Sequence, residues 1–172
     1  SKIGLKVFDV EELSTHGGSL RVWLTKNLNQ NVSSQVKKVL LDEINCGLET
    51  LDLYQDLRIN TEKVKLELLD FLIKAKRDGK KVMGYGAAAK GNTLLNYAGI
   101  KSDLIIGVSD KAPSKQGKFL PGSHIPILSL EELKKINPDY IIVFPWNLID
   151  EIKKDLQGYK LVTLIPKIKF WE

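Results

Sequence analysis

The stretch GYGAAAKGN, Gly84 to Asn92, sets three glycines, three alanines and a lysine between a short apolar run and a helix-like segment. Gly84, Gly86 and Ala89 fit the spacing G-x-G-x-x-G/A, which marks the turn from a first β-strand into a helix in nucleotide-binding sheets. In that pattern the first position allows a tight turn, the second lets backbone approach a phosphate, and the third keeps helix and sheet close. A helix start behind such a loop offers unpaired N–H groups and a partial positive charge. Lys90 and Gly91 fall in the first turn, where a cation opposes the helix dipole and is best explained by a bound anion. Asn92 or Thr93 can add donors, and the absence of a G-K-[ST] ending excludes a Walker A loop.

Other residues suited to ligand chemistry sit where strands are expected to end. Asp110 follows Gly86 by 24 residues, close to the roughly 20 at which an acidic group meets a ribose hydroxyl. Trp146 can stack on a base or sugar, Asn147 can hydrogen-bond hydroxyls or cap a helix, and Glu151 lies one helical turn on. Lys115 and His124, in the turn-rich KQGKFLPGSHIPI, can reach a phosphate or sugar, or can belong to a rigid connection that sets IPIL as an edge strand. Tyr85 serves equally as a ligand contact or as packing. His16 in STHGGSLR, beside two glycines that permit close approach, is the candidate catalytic residue, but turn capping or a domain contact is the simpler reading of a histidine with no visible partner. A diphosphate fits Gly86, Lys90 and Gly91; NAD, S-adenosylmethionine, coenzyme A and sugar nucleotides all remain compatible with the loop.

The elements that must hold these residues follow from periodicity. Residues 5–26 read as two extended runs around STHGGS, and Asn27 to Ser34 as a polar linker. Val36, Val39, Leu40, Ile44, Leu48 and Leu51 recur at helical steps, predicting one long helix. Asn60 or Thr61 should open a second helix with Val64, Leu68, Phe71, Leu72 and Ala75 on one side and Gly79 at its end. Beyond it KVMGY, LIIGVS, YIIVF and KLVTLI alternate with helix-like segments, one of them capped by Ser129. Such nearly continuous apolar strands predict a Rossmann-like parallel α/β sheet with flanking helices. The expected division is an extended segment and linker helix over 1–60 and the Rossmann-like domain over 61–172.

Composition narrows the classes further. The chain has 172 residues, enough for one main core, and its 43% hydrophobic and 27% charged content is that of an ordinary globular protein. Apolar runs stay well short of the ~20 residues of a spanning helix, and a cytoplasmic setting is expected. Cys46 is the single cysteine, which rules out an internal disulfide, and two histidines provide no multi-ligand zinc set. The net charge of +5 comes from scattered lysines with only three arginines, Arg21, Arg58 and Arg77, a pattern unlike a nucleic-acid surface.

GYGAAAKGNTLLNYAGI, then VSDKAPSKQGKFLPGSHIPI, then PDYIIVFPWNLIDEI, resemble in order the C-terminal domain of the sugar C-methyltransferases. VFDVEELSTHGGSLRVWL resembles the segment leading into that domain, so the resemblance runs from about Leu5 to Trp171. It implies a chain of three parts: a zinc-binding N-terminal portion, a central domain that binds S-adenosylmethionine, and this domain. The present sequence is therefore expected to be an excised part, inactive alone, with no cofactor of its own and with the missing parts as its partners. The resemblance assigns the glycine loop to a dTDP-linked keto-deoxysugar and the catalytic base to a segment upstream of Ser1. Two rival classes are an NAD(P)-dependent oxidoreductase domain, disfavoured because no Tyr-Lys pair at helical spacing follows the sheet, and a non-catalytic structural or oligomerisation module.

Overall fold

The computed structural model describes residues 3–172, except for the side chain of His16. The chain divides into two compact units, Ser1–Ile59 and Asn60–Glu172. In the first, β1 (Lys6–Leu13) pairs antiparallel with β2 (Ser19–Thr25) across a short 3-10 turn, Thr15–Gly17, and a register shift falls between Val7 and Asp9. α1 (Ser34–Asn45) follows, with the Ser33 side chain accepting from the Val36 N–H. The expected long helix ends here, because Gly47 takes a φ of +80° and the Leu48 N–H bonds back to the Glu43 carbonyl at 3.1 Å. None of the α1 residues is fully buried, Val36 and Val39 being half-buried.

α2 (Leu51–Arg77) starts nine residues before Asn60. The segment LDLYQDLRIN holds neither glycine nor proline, so nothing in it stops a helix, and Asn60 and Thr61 lie inside one. The buried side of its second half is the one read from spacing: Val64, Leu68, Leu72 and Ala75. No helix among the described residues is long and apolar enough to cross a membrane.

The second unit is built on a six-stranded sheet of order β5-β4-β3-β6-β7-β8. Its strands are β3 (Val82–Tyr85), β4 (Val108–Ser109), β5 (Ile127–Leu128), β6 (Tyr140–Val143), β7 (Leu161–Thr163) and β8 (Lys169–Trp171). All pair in parallel except β8, which closes one edge antiparallel to β7. α3 (Ala89–Ala98) links β3 to β4, α4 (Leu130–Ile136) links β5 to β6, and α5 (Ile149–Asp155) links β6 to β7. α4 carries the expected cap, Ser129 and Glu132 each accepting from the other's backbone N–H at 3.1 and 2.7 Å. The fold is the Rossmann-like α/β class read from the sequence. β8 was not anticipated, its three residues being too few to show a period.

Alternation along β6 separates two cores. Ile142 and Phe144 face α2 and α3, together with Leu68, Leu72, Leu94 and Leu95. Ile141 and Val143 face α4 and α5, with Leu133, Ile152 and Leu156. Phe144 is 1% exposed and lies in the space left by two glycines. A Cβ on Gly91, within α3, would sit 2.5 Å from the Phe144 ring, and one on Gly84, within β3, would sit 2.6 Å from it. Neither gap leaves room for a methyl group.

Gly91→Ala therefore tests this packing by its sign. Inside an ordinary helix the change stabilises by up to about 1 kcal/mol; here it should destabilise by about 1–3 kcal/mol. A denaturant midpoint measures it, and a midpoint raised by Gly91→Ala would contradict the packing.

Candidate functional site

Strand order reverses between β3 and β6, since the chain runs outward through β4 and β5 before returning to β6 on the other side of β3. In open sheets of this kind, ligands bind beyond the carboxyl ends of the strands at such a point. Two loops meet there: Gly86–Ala88, leading into α3, and Pro145 with the 3-10 turn Trp146–Leu148, leading into α5.

The glycine pattern is present, but its roles are redistributed. Gly84 lies within β3 and serves packing rather than a turn. Gly86 makes the turn, with a φ of +85°, and the face on which a phosphate was expected to approach is covered by the Pro145 ring, 2.6 Å from where a Cβ would be. Ala89 is exposed, and Gly91 holds helix to sheet in its place. α3 begins without any side-chain cap at Ala88, so its first-turn N–H groups are left to outside partners.

Lys90, Trp146 and Asn147, far apart in sequence, come together across the two loops. The Lys90 ammonium stands 4.3 Å from the centre of the Trp146 ring and donates to Asn147 Oδ1. Partial burial pushes its pKa below the ordinary lysine value. Among the described residues no carboxylate forms an ion pair with it, whereas Lys80, Lys111 and Lys115 each have one.

Asp110 is engaged elsewhere than at a ribose. Its Oδ2 accepts from the Ala87 N–H at 2.7 Å and from Lys115 Nζ at 3.1 Å, and its Oδ1 accepts from the Ala112 N–H at 2.8 Å. Burial pushes its pKa up, but these donors outweigh burial and hold the carboxyl below its usual value. Lys115, expected at a phosphate, also donates to the Ala87 carbonyl at 3.0 Å.

A cleft of about 170 Å³ on the α5 side is lined by Tyr85, Gly86, Asp110 and Glu151, with Lys111 and Asp155 paired at 2.6 Å. Tyr85 is mostly packed in the core, and burial raises its hydroxyl pKa. Asn92 is half-buried, and its Oδ1 has no hydrogen-bond partner among the described residues. The Thr93 hydroxyl returns to the Ala89 carbonyl at 3.0 Å.

His124 does not join this group. Its segment turns against the C-terminal half of α3, where Asn96 donates to the Pro121 carbonyl at 2.9 Å and Lys101 to that of Gly122 at 2.6 Å. With ~1.5 Å of rise per residue, the length of α3 separates that end from the glycine loop. The side chain of His16 lies outside the described residues. Sequence reasoning missed Lys111 and Asp155. Lys111 adjoins a residue that was chosen, but no spacing rule marks either.

Fold and site together define a Rossmann-like domain with a crevice between two loops at its switch point. The chain belongs to the family described as the C-methyltransferase C-terminal domain, whose model matches residues 14–166. It is similar to the C-methyltransferase NovU of Streptomyces niveus, with 35% identity over 170 residues that cover 95% of this chain and 40% of that protein.

The lowered Asp110 pKa has a direction in pH. A depressed carboxylate contributes stability that is complete above the unfolded value, about 3.9, and is lost as pH falls through the folded one. Between about pH 5 and pH 2.5, the thermal midpoint of the wild type should therefore fall more steeply than that of Asp110→Asn; parallel curves would mean that these donors do not favour the ionised form.

Proposed function

We propose that this chain is the substrate-holding part of a C-methyltransferase acting on a dTDP-linked keto-deoxysugar. The diphosphate lies against Lys90 and the first turn of α3, and Trp146 and Asn147 contact the nucleotide or sugar. The observation that carries this reading is the Lys90 ammonium, partly buried between an indole ring and an amide, with no carboxylate to balance it among the described residues. A phosphate oxygen supplies that balance through a charge-assisted hydrogen bond.

S-adenosylmethionine finds a poorer fit at this loop. The acid that would meet its ribose hydroxyls already accepts three N–H donors, and Pro145 covers Gly86. The methyl donor is assigned to another part of the longer enzyme, and the same features disfavour NAD. Methylation at a carbon beside a ketone needs a base for the C–H proton and donors for the enolate oxygen. Neither role is assigned to this chain, which orients the nucleotide-linked end of the substrate.

Partnership with other parts of the enzyme is supported by the first unit. Leu20, Val22 and Leu24 of β2 are between 44 and 55% exposed. A groove of about 520 Å³ opens between the β1–β2 ribbon and α1, lined by Leu13, Leu20, Val39 and Leu48. Apolar surface of this kind suits protein contact.

Calorimetry with dTDP, UDP, NAD and S-adenosylmethionine tests the reading. Nucleoside diphosphates should bind and the two cofactors should not; binding of NAD alone, or of nothing, would refute it. Lys90→Ala should weaken dTDP about tenfold or more and flatten its salt dependence.

A further inference from the structure

Asp110 occupies the sequence position at which dinucleotide-binding folds meet a ribose, yet its contacts are all internal. The Ala87 N–H donates to Asp110 Oδ2 at 2.7 Å, and the Ala87 carbonyl accepts from Lys115 Nζ at 3.0 Å. Lys115 in turn pairs with the same Asp110 oxygen at 3.1 Å. Both backbone polar groups of one residue in the β3–α3 loop are thus held by a single ion pair from the connection between β4 and β5. That ion pair is itself braced. The Ala112 N–H donates to Asp110 Oδ1 at 2.8 Å, the Gln116 side-chain amide to the Asp110 carbonyl at 2.9 Å, and the Lys115 N–H to the Ala112 carbonyl at 3.0 Å. Next along the loop, the Gly86 N–H bonds to the Ser109 carbonyl at 2.7 Å. The Asp110 side chain is 11% exposed, so little of it faces any molecule arriving from solvent.

We propose that Asp110 and Lys115 are positioning residues, a latch that fixes both peptide groups of Ala87 and thereby sets where the loop presents Lys90, without touching the ligand. The proposal rests on the reading of the Lys90 crevice as the diphosphate site. Lys90 lies three residues beyond Ala87, at the start of a helix with no side-chain cap. Its approach to Trp146 therefore depends on how the turn at Gly86 and the pinned Ala87 backbone direct the chain into α3. A carboxylate has about four acceptor positions; three are filled from within the protein. Lys115, read from the sequence as able to reach a phosphate or sugar, has its charge matched by Asp110 and leaves Lys90, among the described residues of the two loops, as the cation available to an anion.

The test uses the isotope-labelled 172-residue chain with Asp110→Ala and Lys115→Met, and two probes, dTDP and inorganic pyrophosphate, the second having no nucleoside. Loss of a charge-assisted hydrogen bond should speed exchange of the Ala87 amide about ten- to hundredfold in Asp110→Ala, while the buried Leu95 amide keeps its protection. Lys115→Met, at an exposed position where folding is not at risk, should give a smaller effect, about two- to tenfold. Each variant should weaken dTDP and pyrophosphate by the same factor. Asp110→Ala weakening dTDP but not pyrophosphate would make Asp110 a contact to the nucleoside's deoxyribose and overturn the proposal; unchanged Ala87 exchange in both variants would do so too. Failure of the wild type to bind either probe would refute the crevice reading instead, and Ala87 exchange would then decide the latch alone.

Discussion

Phe144 is the contact on which the second unit depends. Its ring occupies the volume that side chains on Gly84 and Gly91 would need, one in the central strand and one in the helix that follows it. Strand, helix and the end of β6 are thereby drawn together at one side chain. The consequence appears two residues further on, where Trp146 and Asn147 meet Lys90 across the point of strand reversal. Close packing thus places a cation on one loop within reach of an aromatic ring and an amide on another.

Charge distribution around that point is uneven in a way that favours an anionic visitor. Lys111 is matched by Asp155 and Lys115 by Asp110, both at 3.1 Å or less. Lys90 has a ring face and a neutral oxygen instead, and burial lowers its pKa rather than a carboxylate raising it. A cation–π contact offsets only part of a lost hydration shell, on the order of 1–2 kcal/mol. On the proposed function, the phosphate of a diphosphate-linked substrate completes the environment.

Much of the architecture was legible because burial follows a period. The spacing of Val64, Leu68, Leu72 and Ala75 marked one side of a helix, the apolar run YIIVF marked a strand buried on both faces, and Ser129 marked a cap. Signals that depend on a single residue's dihedral, or on too few residues to repeat, were not legible in the same way. Gly47 ended α1, Leu51 opened α2 early, and β8 added an edge. Within the crevice, residue types at strand ends pointed to Lys90, Trp146 and Asn147, which do converge. Asp110 and His124 show what spacing cannot carry: which donor an acid finds across the fold, and toward which end of a helix a loop turns. The glycine pattern fitted the spacing while Gly86 and Gly91 took roles assigned to their neighbours, because the partners that decide those roles, Pro145 and Phe144, lie more than fifty positions away.

The central claim is that an anionic nucleotide occupies the crevice between the β3–α3 and β6–α5 loops. Mapping backbone amide shifts during titration with dTDP addresses it most directly. The account predicts the largest shifts within residues 86–92 and 145–148, with the Trp146 indole N–H among them. Saturable shifts confined to other surfaces, such as the groove of the first unit, with these segments unmoved, would contradict it.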